Sequence, residues 1–309
     1  MIKRPIIIDC DPGHDDAIAL VLAFASEKLD VKGVTIVGGN QTLDKTLTNA
    51  LKVLSFAGID VPVAKGADRP IMRDLIIAPE VHGETGLDGP DLGEATLKPV
   101  DMEAVELIAK IASESNEKIT LVPTGALTNI ARFLLAYPQL KEKIEMISLM
   151  GGAADLGNWT PSAEFNILVD PEAAKIVFES GIPIVMSGLD VTHRALIFKE
   201  DIERIRNVGN KVAVMVAELM DFFEKFHMDM GFEGSPLHDP CAVAYLIDPS
   251  IFTGKMCNVE VETEGEFTLG STVTDYMGVT NKVKNTNVLF DVDREKFVDM
   301  LVEAVKKYN

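Results

Sequence analysis

The stretch Asp9-Cys10-Asp11-Pro12-Gly13-His14-Asp15-Asp16 crowds four carboxylates into eight residues, directly after the apolar run Ile6-Ile7-Ile8. Pro12-Gly13 turns the chain sharply, and a helical pattern starts near Asp15. The turn can therefore bring Asp11 back toward Asp15 and Asp16. Carboxylates this dense repel one another unless a cation or a shared proton lies between them. Oxygen ligands alone point to a hard cation, calcium or magnesium, and away from zinc. Aspartate at a helix start is also a common cap. Capping accounts for one or two of these residues, but not for Asp11, Asp15 and Asp16 together.

The elements that must position this run alternate along the chain. Ile6–Ile8, Val34–Val37, Ile119–Val122, Ile147–Met150, Ile184–Met186, Val259–Val261 and Val288–Phe290 read as strands. Helices are predicted over Asp15–Ala25, Leu43–Ala57, Asn129–Ala136, Pro171–Ser180, Lys211–Phe226 and Arg294–Lys307. Apolar strands alternating with helices imply an α/β fold with a mostly parallel, open central sheet flanked by helices. No linker or repeat divides the chain, so residues 1–309 are expected to form a single domain. Ligands of such sheets bind beyond the carboxyl ends of the strands. Long loops are usually functional, which makes 66–96, 151–166 and 228–240 candidate walls of a site. The Met and Phe positions from Met215 to Phe226 fall at helical spacing and read as core.

Composition narrows the partners. With 29 Lys and Arg against 48 Asp and Glu, the formal net charge is -19. That field repels polyphosphates and leaves no basic stripe for a nucleic-acid backbone. A neutral small molecule, or one held through a cation, suits it better. The same excess of acid also serves solubility. No Gly-x-Gly-x-x-Gly or P-loop follows a strand. Cys10, Cys241 and Cys257 are too few and scattered for a disulfide framework, so a reducing, cytoplasmic compartment is expected. The apolar run after Lys3 and Arg4 stops at Asp9, too soon for a signal peptide, and nothing is long enough to span a bilayer.

On its motifs the sequence resembles the inosine/uridine-preferring nucleoside hydrolase family, whose signature is Asp-x-Asp-Pro-Gly-x-Asp-Asp. Further along stand Gly38-Gly39-Asn40, Val122-Pro123-Thr124-Gly125 with Leu127-Thr128-Asn129, and Met150-Gly151-Gly152. Gly157-Asn158, Pro161-x-x-Glu164-Phe165-Asn166, Asp170-Pro171-Glu172-Ala173 and His238-Asp239 follow in the family's order. The resemblance implies that Asp11, Asp16 and Asp239 bind calcium through their side chains and Thr124 through its backbone carbonyl. Asp15 and Asn40 would bond ribose hydroxyls, with Asn158, Glu164 and Asn166 holding the rest of the sugar. Asp11 would also act as general base on metal-bound water. Phe165 packs either against the ribose or in the core, and Trp159 is a wall of the site or an anchor. The same resemblance implies a homodimer or homotetramer.

Water cuts an N-glycosidic bond through an oxocarbenium-like sugar, and the departing base needs a proton or a hydrogen bond. Histidine suits that task near neutral pH. His82 and His238 stand where the family's leaving-group residues would be, whereas a loop histidine without that context is usually just solvated. His14 reads as packing or loop shape; His193 and His227 carry no signal. The stretches Gly39–Thr46, Pro70–Arg73 and His82–Gly89, together with the histidine pair, resemble the pyrimidine-preferring branch. Uridine and cytidine are thus the expected substrates, with inosine slower. A phosphatase of the haloacid dehalogenase type also places Asp-x-Asp after its first strand. It needs a later Gly-Asp motif, which this sequence lacks. A non-catalytic calcium and ribose binder would need no general base or leaving-group residue.

Overall fold

The computed structural model describes residues 3–308. Among the described residues eleven strands run in chain order: β1 Arg4–Cys10, β2 Leu29–Ile36, β3 Val63–Lys65, β4 Ile119–Pro123, β5 Ile144–Met150, β6 Ile184–Ser187, β7 Leu196–Ile197, β8 Ser235–Pro236, β9 Phe252–Val261, β10 Thr272–Asp275 and β11 Thr286–Val292. Nine of them form one sheet in the order β10-β9-β11-β6-β5-β4-β1-β2-β3. From β3 to β11 every neighbour is parallel, while β9 and β10 add antiparallel strands at one edge. The mostly parallel sheet expected from the sequence is therefore present, with a hairpin-like margin.

Side-chain alternation along β1 shows how the sheet is covered. Ile6, Ile8 and Cys10 join a core with helices His14–Ala25, Lys211–Asp229, Pro240–Ile247 and Arg294–Val305. Ile7 faces the other way, into a core with helices Ala104–Glu114, Thr128–Ala136 and Pro171–Phe178. Both faces of the central strands are sealed, which is why the strands read as continuous apolar runs.

The strand order reverses between β1 and β4. The chain steps outward from β1 to β2 and β3, then returns past β1 to lay down β4, β5 and β6. At such a switch point the loops leaving the two central strands diverge and open a crevice at their carboxyl ends. The register pairs Asp9 with Pro123, and the Thr124 amide donates to the Asp9 carbonyl at 2.8 Å. The aspartate run and Thr124 are thereby held side by side at the mouth of the crevice.

Candidate active site

Helix His14–Ala25 begins immediately after Gly13, and its first turn is buried. Asp16 folds back to accept from the Gly13 amide at 3.0 Å and from Asn40 Nδ2 at 3.2 Å. Its other oxygen accepts from Thr124 Oγ1 at 2.8 Å. Asp239 arrives from far along the chain. It precedes helix Pro240–Ile247, which packs on helix His14–Ala25 and β5 and is pinned by Ser148 Oγ donating to the Ala242 carbonyl at 2.8 Å. Asp15, Asp16 and Asp239 each offer an oxygen, and the three lie within 4.8 Å of one another. Such a buried carboxylate triplet could hold a metal ion.

Asp11 stands beside this triplet and is fully buried. One oxygen accepts from the Asn40 amide at 2.7 Å, while Oδ1 has no partner among the described residues. Gly39 and Gly125 press against the two carboxylate oxygens so closely that a Cβ on either would collide with them. An orphaned buried oxygen is costly unless something outside the protein satisfies it. Burial pushes Asp11 and Asp239 well above the usual carboxylate range, and neighbouring carboxylates add to the rise. Asp15 is pushed up to about 7 by the same causes. Without a cation this cluster must take up protons. The all-oxygen donor set and the orphaned oxygen fit a hard divalent ion.

The polar side chains expected to hold a sugar gather at the same mouth. Asn40 Nδ2 is committed to the Asp11 carbonyl and Asp16, so its side-chain oxygen is left to accept. Asn166 Nδ2 donates to the Thr124 carbonyl at 2.7 Å and to the Met150 carbonyl at 3.3 Å, again leaving the oxygen. Asn158 is reversed: its oxygen accepts from the Phe165 amide at 3.0 Å, which frees the NH₂. Glu164 accepts from the Gly152, Asn166 and Ile167 amides and caps the short helix Phe165–Val169. Burial, partly offset by those amides, lifts Glu164 to about 7. Phe165 packs against Trp159 with ring centroids 4.8 Å apart and sits in a small apolar cluster with Ala78 and Val169. It faces both cavity and core.

These groups line a cavity of about 420 Å³, a size within the range of small-molecule sites. The three loops singled out from sequence supply its walls. Ala78–His82 come from the first, Gly157–Asn166 from the second, and Met230, Phe232 and His238 from the third.

The residue-level description of inosine-uridine preferring nucleoside hydrolases matches residues 6–299. The chain belongs to that family. It is 59% identical over 309 residues to the pyrimidine-specific ribonucleoside hydrolase RihA of Photobacterium profundum, covering 99% of this chain and 100% of that one. The RihA of Escherichia coli O7:K1 is 57% identical, with 98% and 99% covered. Among solved structures, a purine-preferring ribonucleoside hydrolase from Gardnerella vaginalis superposes with a TM-score of 0.92 at 32% identity, covering 98% of each chain.

Much of the cavity wall of this nucleoside hydrolase is built from rings. His82 and His238 line it, and so do His193 and His227, which sequence reasoning set aside. His227 Nδ1 bonds the Phe223 carbonyl and Ser235 Oγ, both at 3.0 Å, and His193 meets His238 edge-on at 5.7 Å. Helix Lys211–Asp229, read from its spacing as core, is buried at Met215, Leu219 and Phe223, yet its last turns turn Phe226 and His227 into the cavity. Burial lowers the pKa of all four histidines; His227 falls to about 4, and His82 and His238 well below the ordinary value. Thr124 was expected to matter only through its carbonyl, but its hydroxyl braces Asp16. The tight carboxylate triplet includes Asp15, expected on the sugar, and leaves Asp11 at its margin.

Proposed function

We propose that this nucleoside hydrolase acts on pyrimidine ribonucleosides, uridine and cytidine before inosine, releasing free base and ribose with calcium as its ion. The observation that carries the reading is the convergence of Asp11, Asp15, Asp16 and Asp239 at the switch point, where Asp15 and Asp239 line one cavity together with four histidines of lowered pKa. Carboxylates and ring nitrogens around one cavity suit a neutral sugar joined to a base.

When bound, a calcium ion would be held by Asp11, Asp16, Asp239 and the Thr124 carbonyl, and would supply a grip on vicinal ribose hydroxyls and a lowered pKa for an attacking water. Asp11 would take the proton of that water, a role supported by its unpartnered Oδ1. Asp15 and the free oxygens of Asn40 and Asn166 accept from sugar hydroxyls, and the free NH₂ of Asn158 donates. Glu164, accepting from three amides, fixes the loop that carries Asn166 beside the sugar, and Phe165 covers the sugar's apolar side. Positive charge growing at the anomeric carbon is favoured by these oriented carboxylates. In the same cavity, His82 and His238 meet the departing base.

The preference for pyrimidines is supported by the 59% and 57% identical relatives, both described as pyrimidine-specific. The fold does not decide it, because the purine-preferring Gardnerella enzyme shares it. Comparing kcat/KM for uridine, cytidine, inosine and adenosine, with and without a calcium chelator, tests the proposal. A purine preference, or full activity in the chelator, overturns the corresponding part. A homodimer or homotetramer is supported by exposed apolar residues around the β10 edge, including Phe267, Met277 and Val283. Light scattering on the purified chain checks it. No helix among the described residues is long and apolar enough to cross a membrane. Three buried free cysteines favour a cytoplasmic setting.

A further inference from the structure

His82 and His238 both commit Nδ1 to one neighbour, and the two neighbours differ in what they can accept. His238 Nδ1 lies 2.8 Å from Thr192 Oγ1. Thr192 is fully buried, and its hydroxyl makes no other hydrogen bond among the described residues. A buried O–H without an acceptor is costly, so this hydroxyl donates to His238 Nδ1. That nitrogen must then carry the lone pair, and in the neutral ring the proton sits on Nε2.

His82 is held the opposite way. His14 Nε2 lies 2.7 Å from the Asp88 carbonyl oxygen, which can only accept, so Nε2 bears a proton. The His14 ring is fully buried, stacked on Phe222 at 4.8 Å, and bonded to no carboxylate. It is therefore neutral, with a lone pair on Nδ1. Facing that lone pair at 3.2 Å is His82 Nδ1, and two lone pairs would repel, so His82 donates. The His14 backbone N–H also points at this nitrogen, at 3.4 Å, and has no other acceptor among the described residues; the ring-to-ring contact is the shorter, with the two rings 17° from parallel and their centroids 5.4 Å apart, and it sets the proton. Gly13 permits the approach: a Cβ there would lie 2.6 Å from His82 Nδ1. His82 Nε2 is left as a lone pair with no protein partner among the described residues.

We propose that Thr192 and His14 are positioning residues that hold the two cavity histidines in opposite tautomers, so that His238 offers an N–H and His82 a lone pair to the leaving base. A pyrimidine presents the matching pair, a carbonyl oxygen that gathers charge as the bond breaks and an imide or amino N–H. His238 need not give up its proton: its N–H strengthens the hydrogen bond to that oxygen as charge grows there, the base leaves as the anion with the bond's electron pair, and it takes its proton from solvent after release. The roles rest on the hydrolase reading above; the tautomers themselves do not.

The test reads them directly. The full chain, loaded with calcium and labelled with ¹⁵N histidine, is observed by long-range ¹H–¹⁵N NMR at neutral pH without substrate. The five histidines are assigned through single His→Gln variants. The expected spectrum shows His238 protonated at Nε2 and His82 at Nδ1; the reverse at either ring overturns the proposal. In Thr192→Val the His238 pattern is expected to lose its bias, with kcat for uridine falling about tenfold while KM stays within about twofold. Thr192→Ser should restore both. A riboside with a nitrophenolate leaving group, which needs no such hydrogen bond, should be cleaved by Thr192→Val as fast as by wild type. Unchanged uridine kcat in Thr192→Val, or equal loss on both substrates, removes the positioning role. If the wild-type enzyme released no base from any nucleoside, the hydrolase reading would fall while the spectrum still decided the tautomers.

Discussion

Thr124 Oγ1 donates to Asp16 Oδ1 at 2.8 Å, across 108 residues of sequence, and so ties the turn after β4 to the helix after β1. The hydroxyl fixes the carboxylate proposed as a calcium ligand. Groups that orient a ligand in this way commonly tune metal affinity by 10–100-fold. Thr124→Val keeps the shape and removes the bond. Its calcium dissociation constant is expected to rise about tenfold or more, whereas Thr124→Ser should bind nearly as well as wild type. Titration calorimetry checks both, and wild-type affinity in Thr124→Val would show that Asp16 needs no brace.

The stability of the calcium-free protein should depend on pH in two opposing ways. Burial raises the carboxyls of Asp9, Asp15 and Glu164 to about 7, so these groups bind protons more tightly folded than unfolded. Their contribution is complete below the ordinary carboxylate pKa and is lost as pH rises through about 7. Burial lowers His14 and His227 to about 4, so the unfolded chain takes up protons there first. That contribution is present above the ordinary histidine value and is lost as pH falls toward 4. With three such carboxyls against two such histidines, melting temperature without calcium should therefore fall gently from about pH 5, fall more steeply between about pH 6.5 and 7, and level off above that. Calcium, which replaces the protons on the carboxylates, should raise it chiefly on the alkaline side. A thermal-melt series from pH 5 to 9, with and without chelator, is the measurement; a calcium-free curve still climbing above pH 7 contradicts the assigned shifts.

Gly39 and Gly125 are predicted to be intolerant of even a methyl group. Neither has a left-handed backbone; the constraint is the Asp11 carboxylate lying against both. Gly39→Ala or Gly125→Ala must push that carboxylate aside or move the loop. A displacement on the order of 1 Å at a reacting group costs about 100-fold in rate. Each variant is expected to lose kcat by that order while still binding calcium through Asp16 and Asp239. Activity within a few-fold of wild type would show that Asp11 is not held where proton transfer needs it.

The legible part of the site was its local part. Asp11, Asp15 and Asp16 lie on one strand-turn-helix, so their proximity follows from spacing alone, and the switch point follows from apolar strands alternating with helices. Residues placed by packing between distant elements were less legible. His193 closes the four-residue helix Leu189–Thr192, and His227 reaches the cavity only because the long helix Lys211–Asp229 ends there. Neither spacing nor residue type marks that. The missed strands have similarly plain causes: β3 is only three residues long, and β10 is an edge strand with Val273 exposed. Helix Ala104–Glu114 was also missed, although its Ala104, Leu107, Ile108 and Ala112 are buried at helical spacing. A pattern search over that segment would have found it.

Asp9 and Asp11 offer the sharpest separation of structure from chemistry. They differ by two residues, yet Asp9 belongs to β1, on the face of Ile7, while Asp11 lies past the strand end. Asp9 Oδ1 accepts from Thr35 Oγ1 at 2.5 Å and Asn129 Nδ2 at 2.8 Å, joining β2 and helix Thr128–Ala136. Its Oδ2 has no partner, and burial lifts its pKa to about 7. Asp9→Ala removes the acceptor and leaves the buried Thr35 hydroxyl and Asn129 NH₂ without it, at a cost of about 1–3 kcal/mol. Its melting temperature should fall, with calcium affinity unchanged and kcat within a few-fold of wild type. Asp11→Asn should behave inversely, keeping its stability and losing kcat by at least about 100-fold, as expected when a general base is removed. Calorimetry, thermal melts and uridine turnover on the two variants decide it. If Asp9→Ala lost calcium and activity while Asp11→Asn kept both, the assignment of chemistry to Asp11 would be wrong.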